Sequence, residues 1–369
     1  MSAQPVRLID VAAAANVSTA TASQVMNGTG RVAESTRRRV LDAARTLRYR
    51  PNALARSVAS GRSNTVGVLA ENAAGAFCMP VLIGINRCLS SHDLASLLYD
   101  AAHDPDLRRE HIAHMLARQV DGIILIGEGP DVPIAGLDVD FGGPVVCAFG
   151  PPGGPGVTQV STNERAGGAL AAQRLIAMGR TRIAHVTAAD TLTSVRERLR
   201  GFSQALDAAG LQPAAVLHGE FTRSWGQRAA TRLLAEVDDA DAVFAGNDAI
   251  AIGLAAQLEA LGRRVPDDIA VVGYDNLAGY GDDVAAYLES VDPRLMEVGQ
   301  RSAETLVDRL RGGEAAAQVN VDPTLAPGAT TRGDSLRQRQ ELLQAFLRSV
   351  TAPPVATLPD PPRARRTRR

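Results

Sequence analysis

Short apolar runs alternate with amphipathic segments from Thr65 onward, and this alternation predicts the fold of most of the chain. Nine runs have the length and β-branched content of strands, and they begin near residues 65, 94, 122, 144, 157, 182, 214, 241 and 268. Between them lie helical stretches such as NERAGGALAAQRLIAMG and RERLRGFSQALDAAG, each ending at a glycine. Alternating βαβ units predict an α/β fold whose parallel sheets are covered by helices on both faces.

Nine strands are many for a single sheet of this kind, so we expect two. The Gly/Pro-rich segment from Gly150 to Gly156 predicts the boundary between them. Two doubly wound lobes that face each other leave a cleft at their strand ends, where such sheets usually bind ligands.

The first 62 residues differ, since they predict three short helices followed by a basic segment. An apolar helix, Leu8 to Ala15, ends at Asn16, a residue that tolerates the left-handed conformation of a sharp turn. Ser18 then caps a second helix, Thr19 to Met26. The spacing in this helix buries Ala22, Val25 and Met26 and directs outward Thr19, Ala20, Thr21, Ser23, Gln24 and Asn27. A small, polar, uncharged face of this kind suits the base edges of a DNA major groove.

Charge is segregated along the chain although the net charge is only -1. Residues 1–64 carry 10 Arg against Asp10, Glu34 and Asp42, a net charge of +7, and residues 351–369 carry +4. The segment between them therefore carries -12. A basic N-terminal end on an acidic body predicts nucleic-acid binding. All 39 basic residues are Arg, whose guanidinium can hold phosphate oxygens with two hydrogen bonds.

Membrane and secreted proteins are disfavoured. No apolar run reaches the ~18 residues of a membrane span and no signal-peptide pattern begins the chain, so we expect a cytoplasmic protein with no membrane partner. Cys78, Cys88 and Cys147 are widely spaced among apolar neighbours, which favours reduced core thiols.

Enzymes are disfavoured as well. The chain has no GxSxG elbow, no phosphate-binding Gly-rich Lys motif and no HExxH, so we expect neither catalysis nor a cofactor. His103, His111 and His114 invite a metal-site hypothesis, but they flank or lie on a predicted exposed amphipathic helix, which favours solvated side chains.

Several motifs together resemble the lactose repressor and galactose repressor (LacI/GalR) family of bacterial transcription regulators, from about Leu8 to Thr331. They are D-V-A-x-x-A-x-V-S-x-x-T at 10–21, T-R-x-R-V-L at 36–41, Y-R-P-N-A-L-A-R-S at 49–57, V-D-G-I-I-L at 120–125, N-D at 247–248 and V-P-D-D-I-A-V-V-G-Y-D-N at 265–276. The resemblance implies a homodimer that binds a pseudo-palindromic operator and changes its operator affinity when a small molecule enters the cleft. It also implies a body similar in fold to periplasmic sugar-binding proteins.

The resemblance divides the chain into a helix-turn-helix domain (6–51), a hinge helix (52–62) and a two-lobed effector-binding and dimerisation domain (65–332). The lobes comprise 65–162 plus 292–321, and 163–291 plus 322–332. Residues 333–369 are expected to form a C-terminal helix and a disordered basic tail. Apolar residues spaced by heptads in that helix span only two heptads, which favours packing on the body or fraying over a tetramer-forming bundle.

The resemblance assigns DNA contacts to the second and third helices. Thr19, Ala20 and Gln24 meet bases, with Thr21 and Asn27 beside them. Gln24 stands where relatives commonly carry Arg, which favours an adenine contact over a guanine contact. Arg37, Arg38 and Arg39 lie near the start of the third helix, where the helix dipole does not favour cations. Contact with DNA phosphates explains why these arginines lie there, and the alternative is that they form a solvated face of the helix.

The hinge segment is too short to be a stable helix alone in water and is expected to fold on DNA. In the family its leucine inserts into the minor groove and kinks the duplex, and the resemblance adds DNA contacts at Asn52, Ala53 and Arg56. The matching wedge here is Val58. Valine has one methylene fewer than leucine, which reduces the stabilisation from burial by roughly 0.8 kcal/mol per inserted side chain. The kinked duplex is therefore expected to be less stable.

For the effector, the resemblance assigns Arg198 as the ligand-anchoring arginine and Asn247 and Asp275 as hydroxyl-binding groups. Helix capping is the alternative role for Asn247 and Asp275. Phe221 matches an aromatic residue that stacks on the ligand ring; core packing is its alternative, and Trp225 could stack instead.

The first lobe departs more from the family. Phe77, Cys78 and Phe149 stand at ligand-contacting positions, but Ala148 stands where several relatives carry Asp, which weakens the case for a typical hexose. Asp292 replaces a frequent Gln, so this carboxylate serves either the opposite cleft wall or the linkers between lobes. Further acceptors, with surface loops as the alternative, are Glu71, Asn72 and Glu128.

Together these observations predict a homodimeric repressor of carbohydrate-utilisation genes that is controlled by a small sugar-like effector and is nucleoid-associated when DNA-bound. A purine- or nucleoside-responsive, co-repressed regulator is the alternative, because VSTATASQVMN also resembles the purine-responsive branch. A sugar-binding transport receptor would carry a signal peptide and no basic N-terminal domain, and both features are against it.

Overall fold

The computed structural model describes residues 6–49, 61–134, 141–151, 154, 156–277, 287–314, 316–331, 341 and 344. The predicted DNA contacts at Asn52, Ala53, Arg56 and Val58 lie outside the described residues, as do most of the predicted hinge helix and nearly all of the predicted C-terminal segment.

Three helices form the N-terminal domain: α1 (Leu8–Ala14), α2 (Thr19–Met26) and α3 (Glu34–Thr46). The turn between α1 and α2 follows the sequence prediction, because Asn16 has a φ of 50° and the Ser18 hydroxyl accepts a hydrogen bond of 3.1 Å from the Thr21 amide. A small core holds the helices together, and it contains Val11, Ala12, Ala15, Ala22, Val25, Val40 and Ala44. Met26 is half-buried, not fully buried as predicted.

Every run predicted as a strand forms one. The elements from Thr65 to Ala177 are β1 (Thr65–Ala70), α4 (Cys78–Ser91), β2 (Ala95–Asp100), α5 (Pro105–Ala117), β3 (Gly122–Ile126), β4 (Val145–Ala148), β5 (Val157–Thr162) and α6 (Glu164–Ala177). Then follow β6 (Ile183–Ala188), α7 (Thr193–Ala208), β7 (Val216–Gly219), α8 (Arg223–Glu236), β8 (Ala242–Ala245), α9 (Asp248–Ala260) and β9 (Ala270–Tyr274). The last elements are β10 (Glu289–Asp292), α10 (Leu295–Leu310), β11 (Gln318–Val321) and β12 (Thr324–Ala326).

The strands form two six-stranded sheets, each the centre of one lobe. The first has the order β11-β5-β4-β3-β1-β2 and is parallel throughout. The second has the order β12-β10-β9-β8-β6-β7 and is parallel except for β12, which runs antiparallel to β10. In the first lobe α4 and α10 pack on one face of the sheet and α5 on the other; in the second lobe α6 and α7 pack opposite α8 and α9.

The predicted boundary at Gly150 to Gly156 is wrong. Strands β4 and β5, on either side of it, pair in the same sheet, with Val145 opposite Val157. Gly and Pro mark the end of a strand but do not determine which sheet the next strand joins. The chain passes between the lobes after β5, after β10 and after β11. These three connections place the carboxyl ends of β1, β3, β4, β6, β8 and β9 around one cleft.

Three helix pairs cross at reciprocal glycines, where the helix backbones come close together. At each crossing, a Cβ added to either glycine would lie within 2.2 Å of a carbonyl oxygen on the partner helix. The pairs are Gly84 with Gly299 (α4 and α10), Gly168 with Gly201 (α6 and α7), and Gly226 with Gly253 (α8 and α9). No side chain larger than hydrogen fits these positions without separating the helices.

The predicted exposed helix α5 is amphipathic but less solvated than expected. Arg108 is buried and pairs with Glu71, its Nε 2.7 Å from Oε1, so Glu71 serves the core of the first lobe and is not available to the cleft. The ring of His111 stacks on Tyr99 with centroids 4.5 Å apart. Among the described residues, no group of three or more His, Cys, Asp and Glu side chains could hold a metal ion.

Cys78, Cys88 and Cys147 are buried free thiols, as predicted. In the part of the chain that the structure describes, no helix is both long and apolar enough to span a membrane.

Candidate functional site

The outward face of α2 matches the prediction at four of its positions. Thr19, Ala20, Gln24 and Asn27 are exposed, whereas Ser23, also predicted to face outward, is half-buried. Thr21 is half-buried, and its hydroxyl lies 2.9 Å from the Ser18 hydroxyl, so it contributes to the helix cap as well as to this face. The sequence pattern missed this role because it counted polarity and not the contact at the helix start.

The arginines of α3 differ in their surroundings. Arg37 is half-buried, whereas Arg38 is exposed and lies 3.6 Å from Glu34 on the same helix. The acidic residue in the first turn partly offsets the unfavourable position of these cations at the helix start. Arg37 and Arg39 form no ion pair that would prevent phosphate contact among the described residues.

A cavity of about 400 Å³ lies between the two lobes, at the carboxyl ends of their strands. The first lobe contributes Phe77, which precedes α4, and Phe149, which follows β4. The second lobe contributes Arg198 from α7 and the residues that follow β8 and β9. The full lining is Phe77, Glu128, Gly129, Pro130, Asp131, Val132, Phe149, Glu164, Leu192, Ser194, Arg198, Phe221, Asn247 and Asp275.

Two sequence-predicted residues do not line this cavity. Cys78 is 3% exposed in the core of the first lobe, where burial, aided by Asp100 and Glu128, raises the pKa of its thiol to about 11. It follows Phe77 directly, and on a helix adjacent side chains point to different faces. Trp225 is also buried, and its indole N–H donates to the carbonyl of Thr187 at 3.0 Å, so Phe221 alone of the two is available to the cavity.

Arg198 is the most constrained side chain of the cavity. Its Nε donates to Oε2 of Glu164 at 2.6 Å and its Nη1 to the carbonyl of Gly246 at 2.5 Å. Its guanidinium carbon lies 3.5 Å from the ring centroid of Tyr274, which adds a cation–π contact. Burial alone would lower the pKa of Arg198, but Glu164, Tyr274 and Asp275 raise it above its ordinary value. The side chain is therefore a fixed cation with its Nη2 directed towards Asp275, 4.0 Å away.

Asn247 combines the two roles that its sequence position allowed. Its Oδ1 accepts a hydrogen bond of 2.9 Å from the amide of Ile250, which caps α9. Its side chain also lines the cavity. Capping uses the carbonyl oxygen and leaves the amide N–H₂ to donate to a ligand oxygen.

Asp275 follows β9 with a φ of 102°, and its amide donates to the carbonyl of Val291 at 3.0 Å. Burial raises the pKa of this carboxyl well above its usual range; Arg198 opposes the shift, while Asp248 and Glu164 add to it. A carboxyl with a raised pKa can donate as well as accept a hydrogen bond, which suits a hydroxyl group of a ligand.

Aromatic rings form part of the apolar lining of the cavity. Phe77 and Phe149 lie with ring centroids 5.4 Å apart, and Phe149 has a φ of 47° directly after β4. Across the cavity, the ring of Phe221 lies 6.0 Å from the guanidinium carbon of Arg198. The lobes therefore present aromatic surface on both walls, with the polar groups concentrated on the second lobe.

The other predicted acceptors are distributed unevenly. Glu128 lines the cavity and accepts a hydrogen bond of 3.0 Å from Asn72. Asp292 lies at a connection between the lobes, where its carboxylate accepts from the Asn276 side chain at 3.1 Å and the Arg294 amide at 2.7 Å. Of the two roles predicted for Asp292, the structure thus gives it the one in the linkers.

Glu164 and Asp131 line the cavity, and sequence reasoning missed both. Glu164 is the first residue of α6, where an acidic residue is ordinary, so its pairing with Arg198 had no sequence signal. Asp131 follows the strand-forming run GIILIG, and its place beyond the carboxyl end of a strand was the available signal.

Comparison with family models gives two matches. Residues 7–52 match the model described as bacterial regulatory proteins, lacI family. Residues 172–331 match the model of a periplasmic binding protein-like domain.

Individual proteins are similar over most of this chain. The HTH-type transcriptional regulator CelR of Thermobifida fusca is 35% identical over 312 residues, which cover 82% of this chain and 91% of that protein. The HTH-type transcriptional repressor PurR of Aliivibrio salmonicida is 29% identical over 309 residues, with the same two coverages.

Solved structures are similar over a comparable range. A complex of the transcriptional regulator CelR with cellobiose has a TM-score of 0.58 and 31% identity, and covers 87% of this chain and 98% of that one. The lac repressor dimer bound to operator and the anti-inducer ONPF has a TM-score of 0.67 and 25% identity, and covers 89% of this chain and 99% of that one.

Proposed function

Because this chain belongs to the LacI family of bacterial transcriptional regulators, we propose that it represses its target genes as a homodimer on a pseudo-palindromic operator in the nucleoid, and that a neutral sugar bound between the lobes controls operator affinity. The observation that carries the proposal is the cavity that joins Arg198, Asn247 and Asp275 of one lobe to aromatic residues of the other. The proteins similar to this chain are transcriptional regulators and not enzymes.

The composition of the cavity supports a neutral polyhydroxyl ligand. Even with the carboxyl of Asp275 protonated, three further carboxyl groups and one guanidinium line the cavity, so a sugar phosphate or sugar acid would meet net repulsion. Arg198, Asn247 and Asp275 offer donors and acceptors for hydroxyl groups, and the phenylalanine rings offer flat surfaces for the C–H faces of a sugar ring. The relative solved with cellobiose makes a β-linked disaccharide the first candidate, and a volume of about 400 Å³ has room for a disaccharide.

A thermal-shift screen tests this proposal. It contains cellobiose, other disaccharides, hexoses, sugar phosphates, nucleosides and nucleobases. A ligand at 100 times its dissociation constant should add about 2.7 kcal/mol to the free energy of unfolding. We expect neutral sugars to give the largest shifts, followed by a change in operator affinity at the same concentrations. Stabilisation by purine bases but by none of the sugars would instead favour the purine-responsive alternative. Purines are included because the chain is also similar to PurR.

Replacing Gln24 by Ala is expected to relax operator preference at one base pair in each half-site. Gln24 is exposed on α2, so its amide is able to pair with adenine. A bidentate contact of this kind contributes about 1–3 kcal/mol of discrimination against the wrong base. Competitive binding to a library of randomised operators measures the change. Gln212→Ala, in the body, is the control, and an unchanged preference in Gln24→Ala would show that α2 is not the base-reading helix.

An exposed apolar patch on the first lobe supports the homodimer. Met79 and Ile83 lie one turn apart on α4 and are 55% and 37% exposed. Met296 at the start of α10 is 38% exposed, and its sulfur lies 3.0 Å from the guanidinium of Arg87 on α4. Clustered exposed methionine and isoleucine side chains are typical of a surface that another chain covers.

The double variant Met79→Asp/Ile83→Asp is expected to be monomeric in sedimentation velocity, because each carboxylate would lose its hydration at the interface. Its operator affinity should fall by about 100-fold, since two linked half-site domains bind more tightly than separate ones. Leu261→Asp, at an exposed leucine of the second lobe, should remain dimeric. A dimeric double variant would place the interface elsewhere.

A further inference from the structure

Helix α7, which carries Arg198, begins without a capping residue of its own. The residue at its N-cap is Leu192, whose side chain makes no capping hydrogen bond, and the first turn of the helix contains no acidic residue. The first amides of a helix need acceptors, and the partial positive charge at this end favours an anion.

The acceptor comes from the other lobe. Asp131, in the loop after β3, accepts hydrogen bonds from the Thr193 amide at 2.5 Å through Oδ1 and from the Ser194 amide at 3.0 Å through Oδ2. The Ser194 hydroxyl donates to the same Oδ2 at 2.5 Å. One carboxylate of the first lobe thus makes the helix cap of the second, and we call these three residues the interlobe cap.

The interlobe cap spans the cleft. Asp131 and Ser194 line the effector cavity, whereas Thr193 lines a separate polar groove on the other side of the contact, and Pro130 lines both spaces. The contact is distinct from the three connections between the lobes, which run through residues 162–164, 292–294 and 321–322, although the first connection lines the same groove as Thr193. Rotation of one lobe relative to the other about those connections would change the distance between Asp131 and α7.

The electrostatics favour an ionised cap. Burial would raise the pKa of Asp131, but the hydrogen bonds from Ser194 and Thr193 outweigh burial and lower it below its usual value. An ionised carboxylate makes stronger hydrogen bonds to amides than a neutral acceptor.

We propose that Asp131 holds the two lobes together in the absence of effector and positions Arg198 to bind the effector. The interlobe cap thereby sets the fraction of protein molecules that are in the binding-competent state. Arg198 lies in the second turn of the helix whose first turn Asp131 caps. The apparent affinity of a ligand falls in proportion to the population of the binding-competent state. A capping carboxylate on the opposite lobe therefore adjusts effector sensitivity without requiring contact with the effector.

Spin labels on the two lobes of the full-length protein test this without any sugar. Asp106→Cys on α5 and Glu220→Cys after β7 are exposed sites, and the three native thiols are buried and should not react with the label. In Asp131→Ala the interlobe distance distribution should shift to longer distances, with the ratio of separated to joined lobes rising at least about tenfold. That change corresponds to about 1.4 kcal/mol. Asp131→Asn, which keeps one carbonyl acceptor, should be intermediate.

Asp190→Asn is the matched control, because it removes an exposed carboxylate near the same helix start that makes no hydrogen bond across the cleft among the described residues. It should leave the distances unchanged. Hydrogen exchange at the amides of Thr193 and Ser194 should accelerate in Asp131→Ala and not in the control. If Asp131→Ala leaves the distance distribution unchanged, the carboxylate caps α7 without holding the lobes and the proposal is wrong, whatever the identity of the effector.

Discussion

Replacing Arg198 by Ala is expected to abolish the response to effector while the folded protein still binds its operator. The variant removes two strong hydrogen bonds, to Glu164 and to the carbonyl of Gly246, together with the cation nearest to Asp275. It leaves Glu164 as a buried carboxylate without its partner, and such a loss costs about 3–5 kcal/mol of stability. Operator titrations with and without cellobiose measure the response, and thermal denaturation measures the stability.

A second variant separates the loss of binding from the loss of stability. In Arg198→Ala/Glu164→Gln the uncompensated charge is gone, so the free energy of unfolding should recover in large part. The effector response should not recover, because the guanidinium is still missing. Arg200→Ala is the matched control, since Arg200 lies on the same helix but is exposed and forms an ion pair with Glu197. A double variant that responds to effector at wild-type concentrations would contradict the assigned role of Arg198.

Local sequence signals were sufficient for the N-terminal domain. The αL turn at Asn16, the Ser18 cap and the apolar spacing of α2 each depend on neighbours within a few residues. Such local determinants can be identified from one chain. Thr21 departs because its hydroxyl takes part in the cap, which the polarity of the helix face does not reveal.

The strands were predicted well and their assembly into sheets less well. Buried parallel strands are continuous apolar runs that stand out in the sequence. The segment GPPGGPG misled because β5 stays in the first sheet, and strands β10, β11 and β12 were not predicted because ESVD, QVNV and TLA are short and interrupted by polar residues. Short strands at the connections are stabilised by distant partners and not by local pattern.

For the cavity, resemblance located six of the fourteen lining residues but not the groups that hold them in place. Arg198, Asn247, Asp275, Phe77, Phe149 and Phe221 come together as expected from the family. The partners Glu164 and Asp131 are far from Arg198 and α7 in sequence, and pairing across such a separation leaves no trace in one sequence. Cys78 was assigned to the cavity by position and Trp225 was an alternative to Phe221, whereas a helix turns neighbouring residues towards the core.

Gly168→Ala is expected to destabilise the protein and weaken effector binding, although helix propensity alone predicts the opposite. Exchanging Gly for Ala inside a helix normally stabilises it by roughly 0.5–1 kcal/mol. At Gly168, however, the new Cβ would lie 1.9 Å from the carbonyl oxygen of Arg198, so α6 and α7 must move apart. Overpacking of this kind costs about 1–3 kcal/mol, and it displaces the residue whose guanidinium must reach Glu164 and the ligand.

Two controls distinguish general overpacking from displacement of Arg198. Gly84→Ala introduces the same overlap, 2.0 Å from the carbonyl oxygen of Met296, at the crossing of α4 and α10 in the first lobe. It should lose similar stability but keep more of its effector affinity than Gly168→Ala. Gly142→Ala, where an added Cβ meets none of the described residues within 4 Å, should change neither property. Calorimetry and effector titration measure both, and an unchanged or raised melting temperature in Gly168→Ala would mean that α6 and α7 can separate at no cost, so that their glycine crossing does not fix the position of Arg198.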